Sequence, residues 1–347
     1  MQTVTCATVP DELPDPESIN YATIEEWIRM RCSLDPLATT VVEWSGPVYV
    51  LQPQTPQKYI FDVYGINLAR CWWNATADSY YFSSRELQYY LDGDSKLPMD
   101  SWTNPWTNET VTVEHTANDP VQFNVGKYGY KYDVLSESVA SFPETINLFY
   151  ENPLQCTDDP KYHNKRDICD LTEAEKDLYK PYSNQEFYES TEIFKFLVNE
   201  KDLKNENLDS ANMHFTWSRF SQIMPWMKSE GLIGSMLFTT TGSKINSDLS
   251  TIPDWLKEEL DRIPVYKSSP VCYEDSSSSV TSWVYFAQYY EEYLKGEKFP
   301  INAEEPECLY DVVSENDRRV FDDENNSGRS VFRGFVGLVA FCVFLNF

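Results

Sequence analysis

The stretch Trp102–Val121, WTNPWTNETVTVEHTANDPV, decides how the chain is read. Within it Val111, Val113 and His115 alternate with Thr112, Glu114 and Thr116, the two-residue period of a strand with one apolar face. Trp102 and Trp106 stand in the turn before that strand, and Asn118-Asp119-Pro120 reads as the turn after it. His115 falls on the apolar face at the strand's end, where a sheet protein places a polar group inside a hydrophobic cavity. The expectation is a β-barrel-like protein with a small-molecule pocket, its reaction left open.

The same period extends outward in both directions. Val41–Leu51 reads as two short strand pieces broken at Gly46-Pro47, and Tyr59–Trp73 as a long strand in which Gly65 marks a bulge or bend. Tyr80–Leu91 is the next strand, with Asp92-Gly93 as its turn, and Val121–Val125, Lys131–Ala140 and Glu144–Tyr150 continue the pattern. Strands joined by short turns without intervening helices predict a mainly β fold. The form is an antiparallel β-barrel or strongly bent meander sheet, lipocalin- or calycin-like, with a few flanking helices. Further on, Glu189–Val198 and Ser235–Thr241 read as strands, and in Met213–Phe220 the residues Met213, Phe215, Trp217 and Arg219 share a face. Helices are predicted after the capping box Thr23-x-x-Glu26, over Ile252–Ile263, and over Trp283–Leu294 up to Gly296. Residues 1–20 then form a flexible arm and 21–295 a single domain with an inserted loop at 156–183. Residues 296–333 form an acidic, disordered linker, and 334–347 a hydrophobic tail.

Bulk properties exclude several classes. Aromatic residues make up 15% of the 347, with 23 Tyr and 19 Phe, which suits sheets and aromatic-lined pockets. Only 12 Gly argue against a glycine-rich nucleotide fold. The net charge of -27 repels phosphate backbones, so nucleic acid is rejected as a partner. The eight cysteines show no C-x-x-C spacing and read as reduced thiols of a cytoplasmic protein. Cys156, His163 and Cys169 match no standard zinc spacing. No secretory leader is visible at the N-terminus. The tail GFVGLVAFCVFLNF falls short of the roughly 20 residues of a membrane span. Any membrane association would run through that tail, and oligomeric state is open.

The run Asn104-Pro105-Trp106-Thr107, Glu109, Val111, Val113, His115 and Asn118-Asp119-Pro120-Val121 resembles the signature of a family catalogued as domain of unknown function 1838, found in bacteria and filamentous fungi. Gly65–Arg70, Arg85-Glu86 before Tyr89–Asp92, Trp217-Ser218-Arg219, Pro225-Trp226-Met227 and Thr281-Ser282-Trp283 support the resemblance, which covers Glu26–Tyr290. It implies one contiguous domain and carries no reaction to transfer.

Signatures for phosphate transfer, dinucleotide binding, elbow-type hydrolysis and zinc proteolysis are lacking. What remains is an acid–base set. His115 titrates nearest neutral pH. Asp119 or Glu86 can orient it or serve as a second carboxylate, and Arg219, Arg70 or Arg85 can stabilise an enolate. Tyr49 and Tyr89 can donate hydrogen bonds, and Asn118, Trp102, Trp106, Trp217 and Trp226 complete the ligand-binding set. The plain reading of each is structural: a satisfied core histidine, an Asx clamp, ion pairs and core aromatics. The expected function is a cofactor-independent isomerase, cyclase or dehydratase acting on a hydrophobic oxygenated metabolite, with fungal secondary metabolism as a fitting setting. The alternative is a non-catalytic, lipocalin-like carrier of a hydrophobic ligand.

Overall fold

The computed structural model describes residues 20–75, 77–126, 129–136, 138–152, 154, 168–180, 187–229, 232–270, 272–273, 282–301 and 310–311. Strand β1 (Asn20–Ala22) leads into helix α1 (Ile24–Arg31), where Thr23 and Glu26 each accept the other's backbone N–H. Strands β2 (Thr40–Leu51), β3 (Lys58–Asn74) and β4 (Ser79–Leu91) follow as antiparallel neighbours. A small pair, β5 (Ser101–Thr103) and β6 (Thr110–Thr112), precedes β7 (Thr116–Val125), which returns to β4. Next come β8 (Tyr130–Ser136), β9 (Val139–Glu151), α2 (Glu173–Tyr179), β10 (Phe187–Asn199), α3 (Glu200–Leu203), β11 (Met213–Ser221) and β12 (Ser235–Ile245). The last elements are α4 (Asp254–Arg262), β13 (Cys272–Tyr273), α5 (Ser282–Gln288), α6 (Tyr290–Leu294) and β14 (Tyr310–Asp311), with β13 paired to β14.

The main sheet has ten strands in the order β1-β8-β9-β10-β11-β12-β2-β3-β4-β7, all antiparallel. Two meanders are thus fused where β12 pairs with β2. Strands β7 and β8 lie toward opposite ends of this order yet are linked by residues 126–129 alone. A link of that length spans at most roughly 18 Å, so the sheet must curl until its ends nearly meet. The result is a half-barrel, with β1 on the edge of β8 that a closed barrel would give to β7.

Two cores follow from the two faces of the sheet. Inside pack Phe61, Val63, Phe82, Tyr90, Phe196, Phe215, Trp217 and Phe238, plugged by Trp27, Ile28 and Met30 of α1 and by Trp102 and Trp226. Outside, Ile66, Leu68, Leu87 and Tyr89 pack against Leu256 and Leu260 of α4 and Tyr285, Phe286 and Tyr290 of α5 and α6. Strands β3 and β4 are therefore buried on both faces, whereas the outward residues of β11 are mostly exposed. Each fully buried large apolar side chain contributes about 1.5–3 kcal/mol.

Several local expectations change. Residues Val41–Leu51 lie in one strand, β2; Gly46-Pro47 passes beside Thr239 and Thr240, and a β-carbon on Gly46 would stand 2.1 Å from the Thr239 carbonyl oxygen. Gly65 marks no bulge: pairing with β4 is regular there, and the indole of Trp44 occupies the place of its missing side chain. Asn118-Asp119-Pro120 is not a turn but part of β7, beside a register irregularity at Ser84/Glu86. A proline without a donor is tolerated there because β7 is an edge strand. The strand read over Thr110–Thr116 is interrupted between β6 and β7, and Glu114, read as outward-facing, is buried. Cys169 is disulfide-bonded, against the expectation of reduced thiols throughout; a bridge closed by the fold needs no local C-x-x-C motif. Among the described residues no helix is long and apolar enough to cross a membrane. The predicted hydrophobic tail, nearly all of the arm, most of the linker and much of the inserted loop, with Cys156 and His163, lie outside the described residues.

Candidate functional site

Successive residues of a strand face opposite sides, and the pairs Arg85-Glu86 and Asn118-Asp119 are divided that way across β4 and β7. Inward, Glu86 Oε2 accepts from Asn118 Nδ2 at 2.9 Å and Glu86 Oε1 accepts from Asn67 Nδ2 at 2.8 Å. Asn67 also donates to Ser84 Oγ at 2.8 Å, and Gln88 Oε1 accepts the indole N–H of Trp44 at 3.0 Å. Outward, Arg85 Nε donates to Asp119 Oδ1 at 2.9 Å and Arg85 Nη1 to the Val265 carbonyl at 2.8 Å.

Across the half-barrel, Glu192 of β10 and Arg219 of β11 are register partners, and Arg219 Nε lies 3.6 Å from Glu192 Oε1. Arg219 Nη2 donates to the hydroxyl of Tyr188. Burial raises the Glu192 carboxyl, the charge of Glu86 raises it further, and Glu144 adds to this; the indole of Trp217 pulls the other way, and the result is about 8. The indole N–H of Trp217 stays short of hydrogen-bond geometry, as does Asn118 Oδ1, and both atoms are buried. The Arg219 guanidinium, at 3.6 Å and also engaged with Tyr188, leaves the net direction upward. Glu114 is a further acid whose carboxyl burial holds well above the usual range, and its Oε2 is without a partner. Burial also raises the Tyr90 hydroxyl, with Glu114 acting in the same direction and its Thr116 partner and Arg219 against it.

Glu86, Asn118 and Glu192 are only half-buried although they sit mid-strand on the inner face of a curled sheet. The packing around them therefore does not seal their polar ends. Trp44 and Phe194, also half-buried, flank Trp217: ring centroids are 6.3 Å apart for each pair, edge-on for Trp44 and stacked for Phe194. The site is thus a polar cluster of acids, amides and one guanidinium against an aromatic wall. Such a set can donate a proton from one carboxyl, accept one at another and neutralise a developing oxyanion.

The interior brings together Glu86, Asn118, Arg219 and Trp217 of the residues named from sequence. Trp102 and Trp226, 6.0 Å apart, pack on Phe61 and form wall rather than reagents. Trp106 donates to Gln52 Oε1 at 3.2 Å beneath the Lys58 ammonium. Tyr49 packs edge-on against Tyr59, and Arg70 Nε donates to Ser269 Oγ at 3.1 Å, both away from the cluster. Asp119 and Arg85 hold each other on the outer face.

His115 is placed as a clamp. Its Nδ1 accepts the backbone N–H of Tyr90 at 3.1 Å, its other side bonds to the Met99 backbone, and its ring lies against Tyr89 and Tyr90. Burial, with the charges of Lys298 and Arg262, lowers it to about 3, so it stays neutral at physiological pH. Sequence reasoning missed Glu192, although the alternation Phe194, Phe196, Val198, carried two residues back, puts this carboxyl on the inner face. A separate outer groove of about 370 Å³, lined by Glu43, Tyr64, His214 and Thr216 among others, holds none of the predicted residues.

The model of a protein family of unknown function, DUF1838, matches residues 38–290. That is most of the chain, it contains the whole interior cluster, and the chain belongs to this family. No curated protein matches the chain.

Proposed function

We propose that this member of the DUF1838 family is a cofactor-independent acid–base enzyme, an isomerase, cyclase or dehydratase, acting on a hydrophobic oxygenated small molecule inside the half-barrel. Glu192 is the general acid, Glu86 the acceptor carboxylate, and Arg219 the cation that stabilises an enolate oxygen. Amides from Asn67 and Asn118 hold Glu86 in place. One observation carries the reading: two carboxyls on the inner face lie near enough that burial with the charge of Glu86 holds the Glu192 proton up to about 8. Raising one carboxyl of a neighbouring pair is how one site can supply both acid and base near neutral pH.

The test uses 2-tetralone, an aryl-fused ketone with acidic α-hydrogens, in deuterated buffer. Wild-type protein should speed deuterium uptake at the α-carbon, and Glu192→Gln should remove about 10²–10⁴-fold of that acceleration. Equal rates for wild type, Glu192→Gln and buffer would overturn the assignment for ketones of this class. The half-buried aromatic wall of Trp44 and Phe194 favours a second reading, a carrier that holds a ligand without turning it over. Native mass spectrometry of the purified protein would then show a retained small molecule alongside absent exchange.

A further inference from the structure

A second cluster of reactive groups lies at the plug helix, apart from the interior carboxyls. Cys32 is the C-cap of α1, its backbone N–H bonded to the Ile28 carbonyl at 2.7 Å. Cys71 lies on the inner face of β3, in step with Ala69. Both thiols are free and buried in the same core cluster, and each acts on the other's titration at side-chain range. The ammonium of Lys244, from β12, donates to the Cys32 carbonyl at 2.7 Å, the Arg29 carbonyl at 2.9 Å and Ser210 Oγ at 2.9 Å. Ser210 Oγ donates in turn to the Cys32 carbonyl at 2.9 Å.

The plain role of Lys244 is to satisfy the last carbonyls of α1, which have no partner within the helix. It does not explain why two thiols meet beside that cation. Burial alone would raise Cys32, yet the hydrogen bond from Cys71, the Ser33 backbone, the charge of Lys244 and the Thr40 hydroxyl outweigh it, and the net shift is downward. Cys71 moves up, through burial and through Cys32. One thiol is therefore set to attack and the other to resolve, the division a redox-responsive pair requires. The chain already carries an oxidised cysteine, Cys169.

We propose that Cys32 and Cys71 form a reversible disulfide latch that ties the plug helix α1 to the barrel wall at β3, with a hydroperoxide as oxidant. The Cys32 thiolate attacks the peroxide oxygen, giving a sulfenic acid and releasing water. The Cys71 thiolate then attacks the sulfenic sulfur and expels hydroxide, which leaves as a second water after protonation. Two thiols lose two protons and two electrons in total, and hydrogen peroxide becomes two waters. A dithiol reductant reverses the step. Hydrogen peroxide is close to water in size, so local opening at the helix end suffices to admit it.

The experiment treats the intact protein with hydrogen peroxide, blocks remaining thiols in denaturant, and maps peptides without reduction. A Cys32–Cys71 linked peptide that disappears with dithiothreitol is expected. In Cys71→Ser the attacking thiol should stop at the sulfenic acid and be captured by dimedone at Cys32. Amide hydrogen exchange over residues 24–31 should slow about tenfold in the oxidised wild type, because helix opening then has to stretch a covalent link. Recovery of Cys32 and Cys71 both in the blocked form after peroxide treatment overturns the proposal, as does a link from Cys32 to any other cysteine. The wild-type map decides this even if Cys71→Ser fails to fold.

Discussion

Arg85 and Asp119 form an ion pair of 2.9 Å on the helix-covered face of the sheet, their side chains 1% and 9% exposed. Removing one partner strands the other charge where water cannot reach it. Asp119→Ala should therefore cost about 3–5 kcal/mol, the range for breaking a buried pair. Replacing both residues by apolar ones of similar volume should cost far less. Urea unfolding midpoints at an unchanged slope would measure this; a loss below about 1 kcal/mol for Asp119→Ala would contradict the burial assigned to the pair.

His115 links folding to pH. Its folded pKa, about 3, lies below the ordinary 6.5, so the unfolded chain binds the proton more readily. The neutral ring's contribution is complete above pH 6.5 and is lost as pH falls from there toward 3. Between pH 6.5 and 5 this should remove about 2 kcal/mol from wild type, at 1.36 kcal/mol per unit. His115→Gln should lack that slope. Parallel stability curves for the two proteins across this interval would rule out the clamp as described.

Glu192 has the opposite sign. Its folded pKa is raised from 4.5 to about 8, so the stability its proton provides is present below 4.5 and is lost as pH rises toward 8. Glu192→Gln keeps the shape and never ionises. Relative to wild type it should gain stability between pH 5 and pH 8.5, by chemical denaturation, while losing catalysis. In wild type the ketone exchange reaction should fall away above about pH 8, where the acid has given up its proton.

Gly65→Ala tests the inner wall. A β-carbon there would lie 2.0 Å from the Trp44 ring, and the ring's N–H would leave Gln88. Overpacking of this kind costs about 1–3 kcal/mol. The near-ultraviolet circular dichroism of the tryptophans should change with it. An unaltered spectrum and melting temperature would show that Trp44 yields freely.

What was legible in the chain followed from local period. The shared face of Met213, Phe215, Trp217 and Arg219 appears as read, and so do the capping box of Thr23 and Glu26 and the strand over Glu189–Val198. What escaped depended on which strands become neighbours. The charge of Glu86 reaches Glu192 only because the sheet curls, and no spacing along the chain reports that approach. Gly46-Pro47 and Asn118-Asp119-Pro120 carry turn chemistry, but hydrogen bonding with neighbouring strands and an edge position outweigh it. His115 was visible as a polar group among apolar ones; that both sides of its ring would be claimed by the backbone of Tyr90 and Met99 was not.

The four residues 126–129 hold the two ends of the sheet together without a shared ladder between β7 and β8. The separation of those two ends is consequently bounded by covalent chain rather than by interstrand bonding.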